Sequence, residues 1–142
     1  MKRPPRTRSH KVGLPPGTAV HIGEQKTETT RIRVMHYDAV NLDERDLERI
    51  EEGALIKAAG RITWVHVIGV HDVELLGRLS RGFGLHPLVI EDISNTDQRP
   101  KLEEYDGYAY LVVKLLHSNA VTGETAVEQL SMVLGPDFVL SF

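Results

Sequence analysis

Residues 62–84 read ITWVHVIGVHDVELLGRLSRGFG, and the change of period inside this stretch decides the fold. Ile62, Trp64, His66 and Ile68 fall on one face of a strand and Thr63, Val65 and Val67 on the other, so neither face is polar. A strand of that kind belongs inside a sheet covered on both sides. Asp72 then offers a cap to a helix in which Leu75, Leu76, Leu79 and Phe83 recur at helical spacing. Glu74 and Arg78 pair four apart along it, and Gly84 supplies the exit. Strand passing directly into helix is the beginning of a layered α/β unit.

Upstream of it, Arg31, Ile32, Arg33 and Val34 alternate, which predicts a half-buried strand over 31–37. Asn41 with Glu44 three positions on resembles a capping box, Leu47 and Ile50 add a thin apolar stripe, and Gly53 offers a stop. A short, mostly solvated helix is expected there. Gly13-Leu14-Pro15-Pro16-Gly17-Thr18 reads as a turn delivering the apolar run Ala19 to Ile22, where order is expected to begin.

Downstream, Pro87 is placed as the first residue of a second helix, anchored by Leu88, Val89, Ile90 and Ile93 and carrying Glu91 and Asp92. Tyr108 to Leu116, Val127 to Leu134 and Phe138 to Phe142 then read as strands, separated by turn-forming residues at 118–124 and 135–137. Turns this short make the last three strands antiparallel. The chain stops inside the last of them, so Phe142 is expected to be the cut end of a longer protein.

At 142 residues, with 41% hydrophobic side chains, the chain is one domain's worth and has enough apolar surface for a single core. No run approaches the ~18 consecutive apolar residues of a membrane span, and the basic N-terminus leads into no apolar signal segment. The stretch itself is therefore expected neither to cross a membrane nor to be exported. The absence of cysteine rules out disulfides, thiolate nucleophiles and Cys-based zinc sites, leaving carboxylate, imidazole and carbonyl ligands for any metal. Charge is distributed unevenly: residues 1–23 hold Lys2, Arg3, Arg6, Arg8 and Lys11 and no acid, while the remainder holds 12 basic and 20 acidic residues, net −8. Residues 1–12 read as a basic disordered tail and 13–142 as the folded domain. An acidic body argues against nucleic acid and in favour of cations.

The sequence carries no nucleophile elbow, no phosphate-binding glycine loop and no dinucleotide fingerprint. Seven histidines raise the question of a metal, but His66 and His71 sit five apart at a strand end and His86 follows a helix later, so no helical ligand pair forms. His66, sharing its face with Trp64 and Ile68, reads as a packed histidine. Glu91 and Asp92, about 100° apart around a helix, can both address one cation, and hard oxygens suit Mg²⁺ or Ca²⁺. Taken alone, a Glu-Asp pair is common and is better explained as a solvated face. Glu103, Glu104 and Asp106 form a second acidic cluster that local physics does not separate from the first.

Read together, His86-Pro87-Leu88-Val89-Ile90-Glu91-Asp92-Ile93, then Asn95, then Gln98-Arg99-Pro100-Lys101, resemble the cytoplasmic N-terminal domain of CorA-type magnesium and cobalt transport proteins. The likeness extends to the Gly13–Thr18 turn, to Trp64 with Val67-Gly69-Val70-His71, and to Tyr105, Tyr108 and Val112-Val113-Lys114-Leu115. The zinc-transporting branch is a weaker match, because Gln-Arg-Pro-Lys after Glu-Asp is more typical of the magnesium type.

The resemblance implies an α/β/α sandwich around a mixed sheet; because their strands lack a polar face, Trp64 and Val113 are both expected to be buried, with helices on each face. It implies a full-length pentamer held in the cell membrane by a later transmembrane part, with this domain on the cytoplasmic side. By the same resemblance, Asp92 falls on the position that in that family binds a regulatory divalent ion at the subunit interface, and Glu91 on a neighbouring position associated with a second ion. The partner acid would lie beyond Phe142, leaving half a site here. The expected function is divalent-cation sensing that gates a channel, with Mg²⁺, Co²⁺ or another divalent ion as ligand and no catalysis. Two rivals remain: a metal-dependent enzyme using His71, His86, Glu91 and Asp92, and an oligomerisation module with no ion site. As an exposed acid with few contacts, Asp92 is expected to contribute little to stability.

Overall fold

The computed structural model describes residues 13–23, 25, 27–50, 57–118 and 120–142, so the basic tail at 1–12 and the helix stop expected at Gly53 lie outside the described residues. In chain order the elements are β1 (Arg31–Tyr37), β2 (Leu42–Leu47), β3 (Ile62–Ile68), α1 (Val73–Phe83), α2 (Pro87–Ile93), β4 (Lys101–Tyr105), β5 (Tyr108–Ser118), β6 (Thr125–Leu134) and β7 (Phe138–Ser141). They form a seven-stranded sheet in the order β2-β1-β3-β7-β6-β5-β4. Among the named strands of the described residues only β3 and β7 pair in parallel, so the sheet is mixed; the last three strands are antiparallel neighbours, as the turn chemistry predicts, and β4 adds a further antiparallel strand beside β5.

Register places the core on one face. Val34 faces Val65, Val65 faces Leu140, Leu140 faces Val133 and Val133 faces Tyr110, and all five side chains are fully buried. Leu75, Leu76, Leu79 and Phe83 of α1 and Val89, Ile90 and Ile93 of α2 belong to the same cluster. The opposite face differs from expectation. Trp64 and Val113 are half-buried, because among the described residues both helices pack against the face carrying Val65 and Val112.

The helix ends follow their sequence signals. The Asp72 carboxylate accepts from the Leu75 amide at 2.9 Å, Gly84 turns the exit of α1 at φ 67°, and Glu74 and Arg78 pair at 2.6 Å. At the start of α2, Pro87 occupies the first turn, where an N–H would lack a partner in any case.

The helix expected from Asn41 is instead the edge strand β2, paired antiparallel with β1. Asn41 belongs to a turn: the Asp38 carboxylate accepts from the Val40 and Asn41 amides and from the Asn41 side chain. Cross-strand charge then holds the segment extended, with Arg33 reaching Glu44 at 2.9 Å and Asp46 at 2.8 Å, and Arg61 pairing with Asp38 and Asp43. A strongly charged edge strand also discourages further strand addition. Local helix propensity yields here to pairing partners that only the fold supplies.

Candidate functional site

Glu91 and Asp92 lie on α2, whose buried Val89, Ile90 and Ile93 fix its rotation on the sheet. The helix is held at both ends by distant chain. At its start, the His86 amide donates to the Tyr108 hydroxyl at 2.8 Å, and His86 Nδ1 accepts from the Leu88 amide at 3.2 Å. At its end, residues 22 and 95 form an isolated parallel bridge, with the Ile22 amide donating to the Ser94 carbonyl and the Thr96 amide donating to the Ile22 carbonyl, each at 2.9 Å.

The two carboxylates have different surroundings. Glu91 accepts from the Gly17 amide at 2.8 Å, so the Gly-Leu-Pro-Pro-Gly turn lies against α2. Asp92 accepts on one oxygen from the Gln98 side-chain amide at 2.7 Å and on the other from the Lys101 ammonium at 2.6 Å. With only 23% of its side chain exposed, Asp92 is not the free surface acid expected from the sequence. The reason is that the chain after α2 doubles back: Gln98 and Lys101 follow Asp92 by six and nine residues, Lys101 opens β4, and both side chains reach the carboxylate. The Gln98 segment is itself anchored, since the Gln98 amide donates to Gln129 Oε1 and the Gln129 side-chain amide donates to the Asn95 carbonyl, each at 3.0 Å.

Lys101 ties together the two acidic clusters that local physics leaves equivalent. Its ammonium lies 2.6 Å from Asp92 and 2.7 Å from Glu103, and 5.4 Å from the centre of the buried Tyr110 ring. Burial pulls its pKa down, but hydrogen bonds to Asp92 and Glu103 outweigh that and hold the ammonium above its ordinary range. The hydrogen bond from Lys101 correspondingly keeps the Glu103 carboxyl below its usual value, and burial pushes the Tyr110 hydroxyl up to about 12. Glu104 and Asp106 take no part in this arrangement and are exposed.

Among the described residues the histidines do not join it. His71 lies beside His21, with ring centres 6.4 Å apart, while His86 caps α2 and sits 5.8 Å from the Tyr105 ring. His66 is packed as expected: its Nδ1 lies 2.8 Å from Ser141 Oγ, which also accepts from the Trp64 indole N–H at 2.8 Å. Among the described residues no three histidine or acidic side chains converge so as to hold a metal ion. Glu91 and Asp92 are adjacent on α2 but are engaged by different groups, Glu91 by the Gly17 amide and Asp92 by Gln98 and Lys101. Reading the sequence for ligands misses Gln98 and Lys101 as partners of Asp92; the signal for the lysine is a basic residue nine positions after the acid.

Residues 59–142 match the family model described as CorA-like Mg²⁺ transporter protein. The chain is 36% identical over 134 residues to the cobalt/magnesium transport protein CorA of Thermotoga maritima, covering 94% of this chain and 38% of that protein. It is 42% identical over 79 residues to the putative metal ion transporter YfjQ of Bacillus subtilis, covering 56% of this chain and 23% of that one. The fold matches the complete structure of the CorA magnesium transporter from Methanocaldococcus jannaschii with a TM-score of 0.52 at 17% identity, over 78% of this chain and 31% of that one. The chain thus spans well under half the length of each curated relative.

Proposed function

The chain belongs to the CorA-like Mg²⁺ transporter family, a family of transporters and not of enzymes, and from that membership we propose that it is the cytoplasmic divalent-cation-sensing domain of a magnesium and cobalt channel. In this reading residues 13–142 are the sensor, and the intact protein is a membrane-anchored pentamer. The observation that supports it is the placement of Glu91 and Asp92, adjacent on a helix fastened at both ends. In this reading the pair forms half a site that a neighbouring subunit completes.

Glu91 and Asp92 would face acids of the next subunit and repel them, and a shared Mg²⁺ supplies the positive charge that offsets this repulsion. The carboxylates thereby bias the ring between a closed arrangement and looser, conducting ones according to the cation level in the cell. Falling Mg²⁺ opens the pore.

A second reading, an oligomerisation module with no ion site, is favoured by one observation: both Asp92 oxygens already accept hydrogen bonds. A protease-protection titration against Mg²⁺ on the full-length protein in detergent separates the two. Asp92→Asn is expected to move protection to higher Mg²⁺, and Glu91→Gln to do so more mildly. Superimposable curves for wild type and Asp92→Asn would remove Asp92 from the site and leave the oligomerisation module.

A further inference from the structure

We propose that Lys101 is a built-in competitor cation at the Asp92 site, which lowers the site's affinity for a divalent ion and so sets the concentration at which it responds. The inference rests on the ion-site reading of Asp92 and goes beyond it by assigning the residue that tunes the site. Three observations carry it. The ammonium touches Asp92 at 2.6 Å, in direct contact with a carboxylate oxygen that an ion would otherwise use. It is fixed in place, because it emerges from β4 opposite Val112, lies over the Tyr110 ring and is shared with Glu103 at 2.7 Å. Finally, Glu103 offers the ammonium a second carboxylate, so Asp92 can release Lys101 to a divalent ion without leaving a half-buried ammonium unpaired.

The charge count gives the direction. Asp92 and Glu103 with Lys101 carry net −1, and without Lys101 they carry −2, which attracts a divalent cation more strongly. A neighbouring opposite charge at this range changes a carboxylate's affinity for a proton by about tenfold or more, and the same electrostatics acts on its affinity for a metal. The opposing possibility is that Lys101 chiefly orients Asp92, in which case its loss would weaken ion binding.

The test uses Mn²⁺ as a hard divalent probe on the chain and follows paramagnetic broadening of the backbone amide signals of residues 87–93. Lys101→Met is expected to reach half-broadening at about tenfold less Mn²⁺ than wild type, and Lys101→Arg, which keeps the charge, to stay close to wild type. Lys101→Gln serves the same purpose should the Met variant fail to fold. Half-broadening of the neutral variants at equal or higher Mn²⁺ than wild type overturns the competitor role while leaving the ion site standing. Asp92→Asn provides the separate control: broadening of these signals that is indifferent to Asp92→Asn overturns the ion-site reading itself.

Discussion

The backbone amide of Gly17 donates to the Glu91 carboxylate at 2.8 Å, joining residues 74 positions apart. The contact straps the N-terminal turn along α2 and fixes one of the two carboxylates of the candidate site. Glycine is required at this point on two counts, because its φ is +82° and a Cβ there would lie 2.9 Å from the Cβ of Pro87.

Replacing Gly17 by Ala should therefore destabilise the chain by about 1–3 kcal/mol, from the left-handed backbone and the clash together. Urea unfolding measures it. Amide exchange at residues 18–22 should accelerate in the variant, and an unchanged urea midpoint would show that the strap contributes nothing to the fold.

Asp92→Asn should also cost stability, contrary to what an exposed acid implies. The substitution weakens two charge-assisted hydrogen bonds, from Gln98 and Lys101, at a site about three-quarters buried. Lys101 keeps Glu103, and the remaining exposure screens part of the loss, so about 1–2 kcal/mol is expected. Indistinguishable unfolding curves for the variant and wild type would contradict the contacts described here.

Stability should fall as the solution is acidified through the histidine range. Burial, reinforced by the neighbouring His71, lowers the pKa of His21 below 6.5, and burial with the charge of Arg33 lowers that of His66. The unfolded chain thus binds more protons than the folded one in the window just below 6.5, and stability decreases with falling pH there. The depressed Glu103 carboxyl acts lower down: its contribution is complete above 4.5 and is lost only as pH drops through its folded value. Urea midpoints at about pH 7.5 and about pH 5.5 bracket the histidine window. The drop between them should shrink in His21→Gln, and a drop of undiminished size would acquit His21.

The chain alone should bind Mg²⁺ weakly, with a dissociation constant on the order of millimolar, because Mg²⁺ keeps most of its waters and two adjacent carboxylates give little chelation. Isothermal titration with Mg²⁺ checks this. Micromolar binding by the chain would mean that its own residues complete a site, against the shared-site reading.

Much of the architecture was legible without coordinates. The strand at 62–68, the two helices with Asp72, Gly84 and Pro87 at their ends, and the antiparallel return of the last strands follow from period, cap and turn chemistry, which act within a few residues. These local signals agree with the sheet that forms, so nothing overrode them.

Three features needed the tertiary structure, and each depends on which distant groups meet. Residues 42–47 are a strand because Arg33 of β1 and Arg61 beyond it draw their acids into an extended edge, which outweighs the local capping pattern. Trp64 and Val113 are half-buried because among the described residues both helices settle on the other face of the sheet, a choice that an apolar strand does not encode by itself. Above all, the pairing of Asp92 with Lys101 and Gln98 arises only where the chain after α2 doubles back. The sequence determined that two acids stand side by side at 91 and 92; the fold decided that one of them already holds a lysine, since contact between charges depends on distance in space and not on spacing along the chain.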